Sequence, residues 1–201
     1  MVKADCGGCN GCSRCCHGMG NSIILDPYDV YRMTTGMGKS MQELLAASVE
    51  LNVVDGVILP NLKMQGTEEA CAYLDEEGRC SIHPYRPGIC RLFPLGRYYE
   101  NGGFSYFLQT GECVKENRSK IKVSKWIDTP DLTRNQQFIL QWHDLLHAME
   151  ERLTGEDEGK QREENLLLLR LFYLLPYEGT IDFYTQFTER MEHWNGQNGQ
   201  I

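Results

Sequence analysis

The sequence predicts an α+β, mostly α, protein. A cysteine-rich, metal-binding lobe of short strands and helices (residues 1–125) should pack on a C-terminal helical lobe (126–201). Three observations carry this expectation. Cysteines crowd the first sixteen residues, recur singly as far as Cys113 and then stop. Glycine and proline cut the first part into pieces too short for long elements. Beyond about Ile127 the apolar residues recur at helical spacing.

The elements follow in chain order. Ile23, Ile24 and Leu25 predict a short buried strand. Asp26-Pro27 is a helix start, with Asp as N-cap and Pro at the first helical position, and predicts a helix over 27–35 with Val30 and Met33 on its inner face. Ser40 with Glu43 forms a capping box for a second helix, to about Val49. Asp55-Gly56 between apolar runs predicts a hairpin, and so does Asn101-Gly102-Gly103 between 97–99 and 104–108. Thr133 with Gln136 predicts the cap of a long helix ending at about Leu153, with Phe138, Trp142, Leu145, Leu146 and Met149 on one stripe. A second helix should run from about Asp157 or Lys160 to Leu175, halted by Pro176, and a third should start after Thr180. The leucine-rich run over 166–175 is apolar nearly all round, as in a helix buried in the core.

Composition bounds the function. With 201 residues the chain has room for one sizeable core. A net charge of −8 argues against a nucleic-acid partner. No apolar leader precedes the cysteines, and the most apolar run is too short for a membrane span and contains Arg170, so a soluble, cytoplasmic protein is expected. In a reducing compartment nine cysteines point to metal ligation before disulfides; the odd count also weighs against a disulfide scaffold.

Cys6, Cys9, Cys12 and Cys15 recur every third residue, and Cys16 follows directly. Thiols this crowded are poorly placed to pair with their neighbours, because a disulfide needs a particular Cα separation and Cβ orientation. Several thiolates can instead converge on one charged centre. Downstream stand Cys71, Cys80, Cys90 and Cys113. The expected ligands are therefore Cys9, Cys12, Cys15, Cys16, Cys71, Cys80, Cys90 and Cys113, with Cys6 left over. Eight thiolates suit two centres at four each; a single four-thiolate centre is the smaller option. A structural zinc site typically shows paired C-x-x-C knuckles, often with histidine, whereas these downstream cysteines are isolated. The upstream C-x2-C-x2-C spacing resembles that of bacterial ferredoxins. The expected cofactor is thus an iron–sulfur cluster of the 4Fe–4S type, one or two in number, with zinc as the alternative. Arg86 and Arg91 flank Cys90 and are candidates to offset thiolate charge or bind an anionic ligand. Arg32, one turn beyond Asp29, should pair locally with it.

Taken together, Cys9-Asn10-Gly11-Cys12-Ser13-Arg14-Cys15-Cys16, Asp29-Val30-Tyr31-Arg32-Met33, Cys71, Gly78-Arg79-Cys80-Ser81-Ile82 and Arg86-Pro87-Gly88-Ile89-Cys90-Arg91-Leu92-Phe93-Pro94 resemble the CxxCxxCC cysteine-cluster family over residues 9–113. The resemblance implies a zinc- or iron-chelating protein, often one with an iron–sulfur cluster, in a family that includes proteins related to flagellin lysine N-methylase. It extends the expectation to a redox or electron-transfer role, with an unidentified protein or small-molecule redox partner, or to part of a methyl-transfer or other modification enzyme. A zinc-stabilised binding module without catalysis is the alternative.

Other motifs carry less. His143 and His147 are four apart with Glu151 four further on, but residue 144 is Asp, so no H-E-x-x-H motif forms. His17 could replace a thiolate, and His83 reads as a turn residue. Gly38-Lys39-Ser40 lacks the upstream glycine of a phosphate-binding loop, and no G-x-G-x-x-G occurs.

Overall fold

The computed structural model describes residues 1–5, 12–115 and 117–198. It is α+β, and among the described residues the strands pair only in twos. Strand β1 (Val2–Asp5) pairs antiparallel with β8 (Ser119–Ile121), β2 (Val49–Val54) with β3 (Val57–Leu62), β4 (Met64–Gln65) with β5 (Ala70–Cys71), and β6 (Leu95–Glu100) with β7 (Gly103–Leu108). The helices are α1 (Pro27–Met37), α2 (Met41–Ala47), α3 (Gly88–Leu92), α4 (Val123–Ile127), α5 (Leu132–Leu153), α6 (Glu158–Leu169) and α7 (Phe183–Asn198).

Helix α1 starts as its sequence predicts. Asp26 accepts the Asp29 N–H at 2.8 Å, and the Asp29 side chain accepts the Asp26 N–H in return. Ser40 and Glu43 make the same reciprocal box at α2. That helix stops at Ala47, short of the expected Val49, because Val49 is wholly buried and opens β2 opposite Leu62. Both hairpins turn on two residues with positive φ, Asp55-Gly56 and Asn101-Gly102, the backbone a type I′ turn requires. Residues 23–25 lie against β3 through a single bridge, Ile24 to Asn61, flanked by Leu25 N–H to Pro60 O and Leu62 N–H to Ile23 O.

Helix α5 is capped by Asp131, whose side chain accepts from Arg134 N–H, and not by Thr133, which lies inside the helix. The long helix expected to reach Leu175 ends at Leu169 and passes into a π-helical turn, Arg170–Leu174. Arg190 of α7 donates to Leu171 O, Leu175 O and Pro176 O, satisfying carbonyls that a helix end would otherwise leave open.

One apolar core joins residues on both sides of the boundary expected near 125. Leu25, Tyr28, Val30, Met33 and Leu62 pack in the same cluster as Phe138, Trp142, Phe172, Tyr173 and Phe187. Two polar clamps run across it. Tyr173 Oη donates to Leu25 O at 3.0 Å. The buried Asn165 of α6 accepts the Ile58 N–H at 2.6 Å and donates to Gly56 O, holding the β2–β3 turn. A second, small cluster is separate: Leu92, Leu95 and Ile127, with Val2, Tyr106, Leu108 and Trp126 against it. No described helix is long and apolar enough to cross a membrane.

Candidate metal centre

Four short segments bring cysteines together, and each is fixed by backbone bonds. Cys15 and Cys16 lie in a 3-10 turn, Arg14–Cys16, closed by Cys16 N–H to Ser13 O at 2.8 Å. The chain then runs beside β5: His17 bridges Ala70, and Gly18 N–H donates to Glu69 O. Cys71, at the end of β5, stands opposite Met64. From Cys71 the chain turns back at residues 75–79, where Asp75 Oδ1 accepts from Glu77 N–H and Arg79 N–H, and Gly78 takes a positive φ. The bridge Leu74 to Cys80 and the bond Ser81 N–H to Tyr73 O complete that loop, which sets Cys80 beside Cys71. Cys90 rides on the one-turn helix α3. The amino end of α3 is fastened to α1: Gly88 N–H donates to Asp29 Oδ1 at 2.6 Å, and Arg91 pairs with the same carboxyl at 3.9 Å, both side chains buried.

Cys15, Cys16, Cys71, Cys80 and Cys90 thereby line one cavity of about 80 Å³, walled by Met19, Met64, Tyr73, Ile89 and Phe93 among others, with Arg86 as its cation. That is several times the space one water needs, about 10–15 Å³. Tyr73 is tethered from outside by a 2.5 Å bond between its hydroxyl and that of Ser48. Cys12 lies in a second cavity, about 30 Å³, with Cys113, Arg14, Glu112, Lys115 and Trp126; Cys15 and Phe93 line both. Trp126 Nε1 donates to Leu92 O and Phe93 O, both at 3.2 Å, and so closes the carboxyl end of α3.

The thiols are electrically unlike one another. The Cys16 S–H bonds to Cys15 and, with help from Arg86, lowers the Cys15 thiol to about 6 against the opposing effect of burial. Cys16 is driven up, first by that same bond and then by burial. Burial pushes Cys90 up, and Asp29 and the neighbouring sulfurs add to it. Cys71 and Cys80 are also raised by burial, each opposed by a backbone N–H directed at the sulfur, from Tyr73 and Ile82. Asp29 is raised, by burial first and by Asp26 next, against the pull of Arg91.

The other expected residues are placed as follows. Cys9 and Cys6 lie outside the described residues. Arg91 faces Asp29 and the Tyr28 ring and is not among the residues lining the thiol cavity. Arg32 does not pair with Asp29 but donates to Pro84 O at 2.5 Å, because Asp29 is turned inward to α3. His17 Nδ1 contacts Ser13 O. His143 is stacked on Tyr99 at 3.8 Å, while His147 pairs with Glu151. Sequence reasoning missed Asp29 and Trp126 as supports of α3. The Asp26–Asp29 spacing announces a capping box, but no local pattern shows that Asp29 also receives Gly88.

The donor set can be tested against a metal. The seven described cysteines are free thiols, each half-buried. No imidazole and no carboxylate is among the lining residues of the larger cavity, where five thiols are gathered. Soft thiolates of this kind suit zinc and iron–sulfur centres. Among the described residues no group of three or more Cys, His, Asp or Glu already stands close enough to hold an ion. The sulfurs face a common space without closing on a point. In donor chemistry and in room the residues fit a thiolate-bound metal.

No curated protein and no solved structure matches the chain. A family model does, over residues 8–138, which take in the described cysteines, the larger cavity, all of the smaller but Ala4, and the start of α5. That membership supports metal binding: the chain belongs to the CxxCxxCC family, described as "Putative zinc- or iron-chelating domain".

Proposed function

We propose that the chain is an iron–sulfur protein, holding one or two clusters of the 4Fe–4S type and passing electrons in a redox reaction. The observation that carries this is the larger cavity: five thiols from four segments, no imidazole, and backbone N–H groups directed at two of the sulfurs. Such a cluster supplies an electron at a potential set by burial and by hydrogen bonds to sulfur. The residues of the chain prepare for it. Arg86 offsets thiolate charge beside Cys15 and Cys80. Tyr73 and Ile82 present N–H donors. Met19, Ile89 and Phe93 supply apolar wall. Free thiols fit the reducing cytoplasm, and the net charge of −8 disfavours nucleic acid as the partner. The electron partner is then a redox protein or small molecule, and the same centre could serve a methyl-transfer or other modifying enzyme that includes this chain.

A second reading rests on a different observation. Cys71, Cys80 and Cys90 pack against the main core, each on a loop or short element that a metal would tie down. Zinc would then be purely structural in a non-catalytic binding module. Anaerobic purification separates the two. The iron–sulfur protein is brown, with broad visible absorption that bleaches on reduction. A colourless protein holding stoichiometric zinc refutes the redox proposal.

A further inference from the structure

Strand β2 is paired along one edge and open along the other. Its neighbour β3 turns the backbone of Ile58, Pro60 and Leu62 away from it: Ile58 N–H donates to Asn165 Oδ1, Pro60 O accepts from Leu25 N–H, and Leu62 N–H donates to Ile23 O. Backbone groups alternate in direction along an antiparallel strand. Val57, Leu59 and Asn61 therefore bond to Val54, Asn52 and Glu50 of β2. That leaves Leu51 and Val53 with their N–H and C=O directed outward. Among the described residues nothing takes up those four groups.

The side chains suit the same edge. Leu51 is 44% exposed and Val53 66%. The one charge on the strand, Glu50, is tied with Asn52 to Asn61 on the opposite face. No proline, lysine or register shift interrupts β2. An apolar edge left open in this way is a site for strand addition. The far edge of β3, by contrast, is covered by residues 23–25.

We propose that two copies of the chain join through β2, antiparallel, about a two-fold axis at Asn52. In that register Leu51 lies opposite Val53 of the second copy, and Val53 opposite its Leu51. Each pair exchanges two N–H···O bonds, so all four outward groups of each copy are satisfied. The same pairs bring apolar side chains together on the exposed face. Asn52 meets Asn52, and Glu50 stands opposite Val54 rather than another Glu50, so no like charges oppose each other. A two-fold contact requires this self-complementarity, which the edge already has. The dimer does not depend on what fills the thiol cavity.

The test is sedimentation equilibrium of the full-length protein over a concentration series. The protein is kept reduced and anaerobic, so that no disulfide joins two copies, in about 0.15 M salt, which screens the charge of −8 on each. The wild type should dimerise. Leu51→Lys/Val53→Lys sets lysine opposite lysine in both pairs and should weaken the dimer about tenfold or more. Leu51→Lys/Val53→Glu is equally polar but sets each lysine opposite a glutamate, so it should recover much of the lost association. Val53→Lys alone, at the more exposed position, should also weaken the dimer and guards against a double variant that fails to fold; the circular dichroism of each should match the wild type. A wild type that stays monomeric at every concentration would overturn the proposal and leave the edge to a strand of another protein. An undiminished dimer in both lysine variants would place the contact on a different face and overturn it too. A charge-paired variant as monomeric as the double-lysine one would overturn the register about Asn52.

Discussion

The aromatic core and the thiol face are held together by different means. Around α5, the π-helical turn and α7, large rings interlock: Phe138 meets Phe187 edge-on at 4.8 Å, Trp142 meets Phe172 at 5.1 Å, and Phe172, Phe187 and Trp194 are buried. That packing needs no added ligand. The thiol face has no long element. Its segments are a 3-10 turn, a two-residue strand, a capped loop and a one-turn helix, joined by single bridges and by buried polar side chains. Short elements cannot bury much apolar surface, so directional bonds and, on the present proposal, a metal supply their order. The core therefore sets the overall stability, and on the present proposal the thiol face sets the chemistry.

Substitutions can separate the two, beginning with the largest expected effect. Phe172→Ala should cost about 4 kcal/mol in urea unfolding, with the metal content of the protein that remains folded unchanged. Metal loss at that site would mean the core and the thiol face are one cooperative unit. Asp29→Ala removes both the acceptor of Gly88 N–H and the partner of the buried Arg91, at a cost of about 3 kcal/mol. Here metal should be lost as well, because α3 and Cys90 come free. Asp29→Asn keeps an acceptor for Gly88 and should cost about 1 kcal/mol; an equal loss in both variants would shift the weight from hydrogen bonding to charge.

Gly36→Ala tests the outer edge of the thiol face. The ring of Tyr85 lies directly on Gly36 where a Cβ would stand, so the added methyl should cost about 2 kcal/mol and displace the 83–87 loop. A near-neutral effect would show that this loop gives way freely. Arg86→Ala should leave unfolding almost unchanged and act on titration alone. In the metal-free chain, one thiolate should appear with a midpoint near 6, followed by its ultraviolet absorbance, and the variant should move that midpoint upward. An unmoved midpoint would assign the depressed thiol to the bond from Cys16 and to the backbone N–H of Cys15 itself.

Much of the fold was legible because local signals governed it. The boxes at Asp26 and Ser40 and the Asp-Gly and Asn-Gly turns act within a few residues, and each element forms where its signal stands. The misreadings have tertiary causes. Val49 was drawn out of helix by its strand partner Leu62. Thr133 and Gln136 have box spacing, but Asp131 caps α5 from a left-handed backbone, which no helix-start rule favours. The order of the cysteines suggested that distant thiols meet. It did not show that Arg91 turns away from them or that Cys15 stands between two spaces, since both follow from contacts across the fold: Asp29 with Gly88, and β5 with His17.

The continuity of the main core has a practical corollary for anyone trimming this chain. The family-matched stretch ends at Phe138, yet Tyr28 and Tyr31 of α1 lie against Phe183, at 4.9 and 5.4 Å between ring centres, and the hydroxyl of Tyr173 holds the approach to α1 at Leu25. A fragment cut at 138 would bare that face of α1 to solvent. Since α1 also carries Asp29, the anchor of the Cys90 helix, the shortened piece would loosen the hold on Cys90 although every cysteine remained in it.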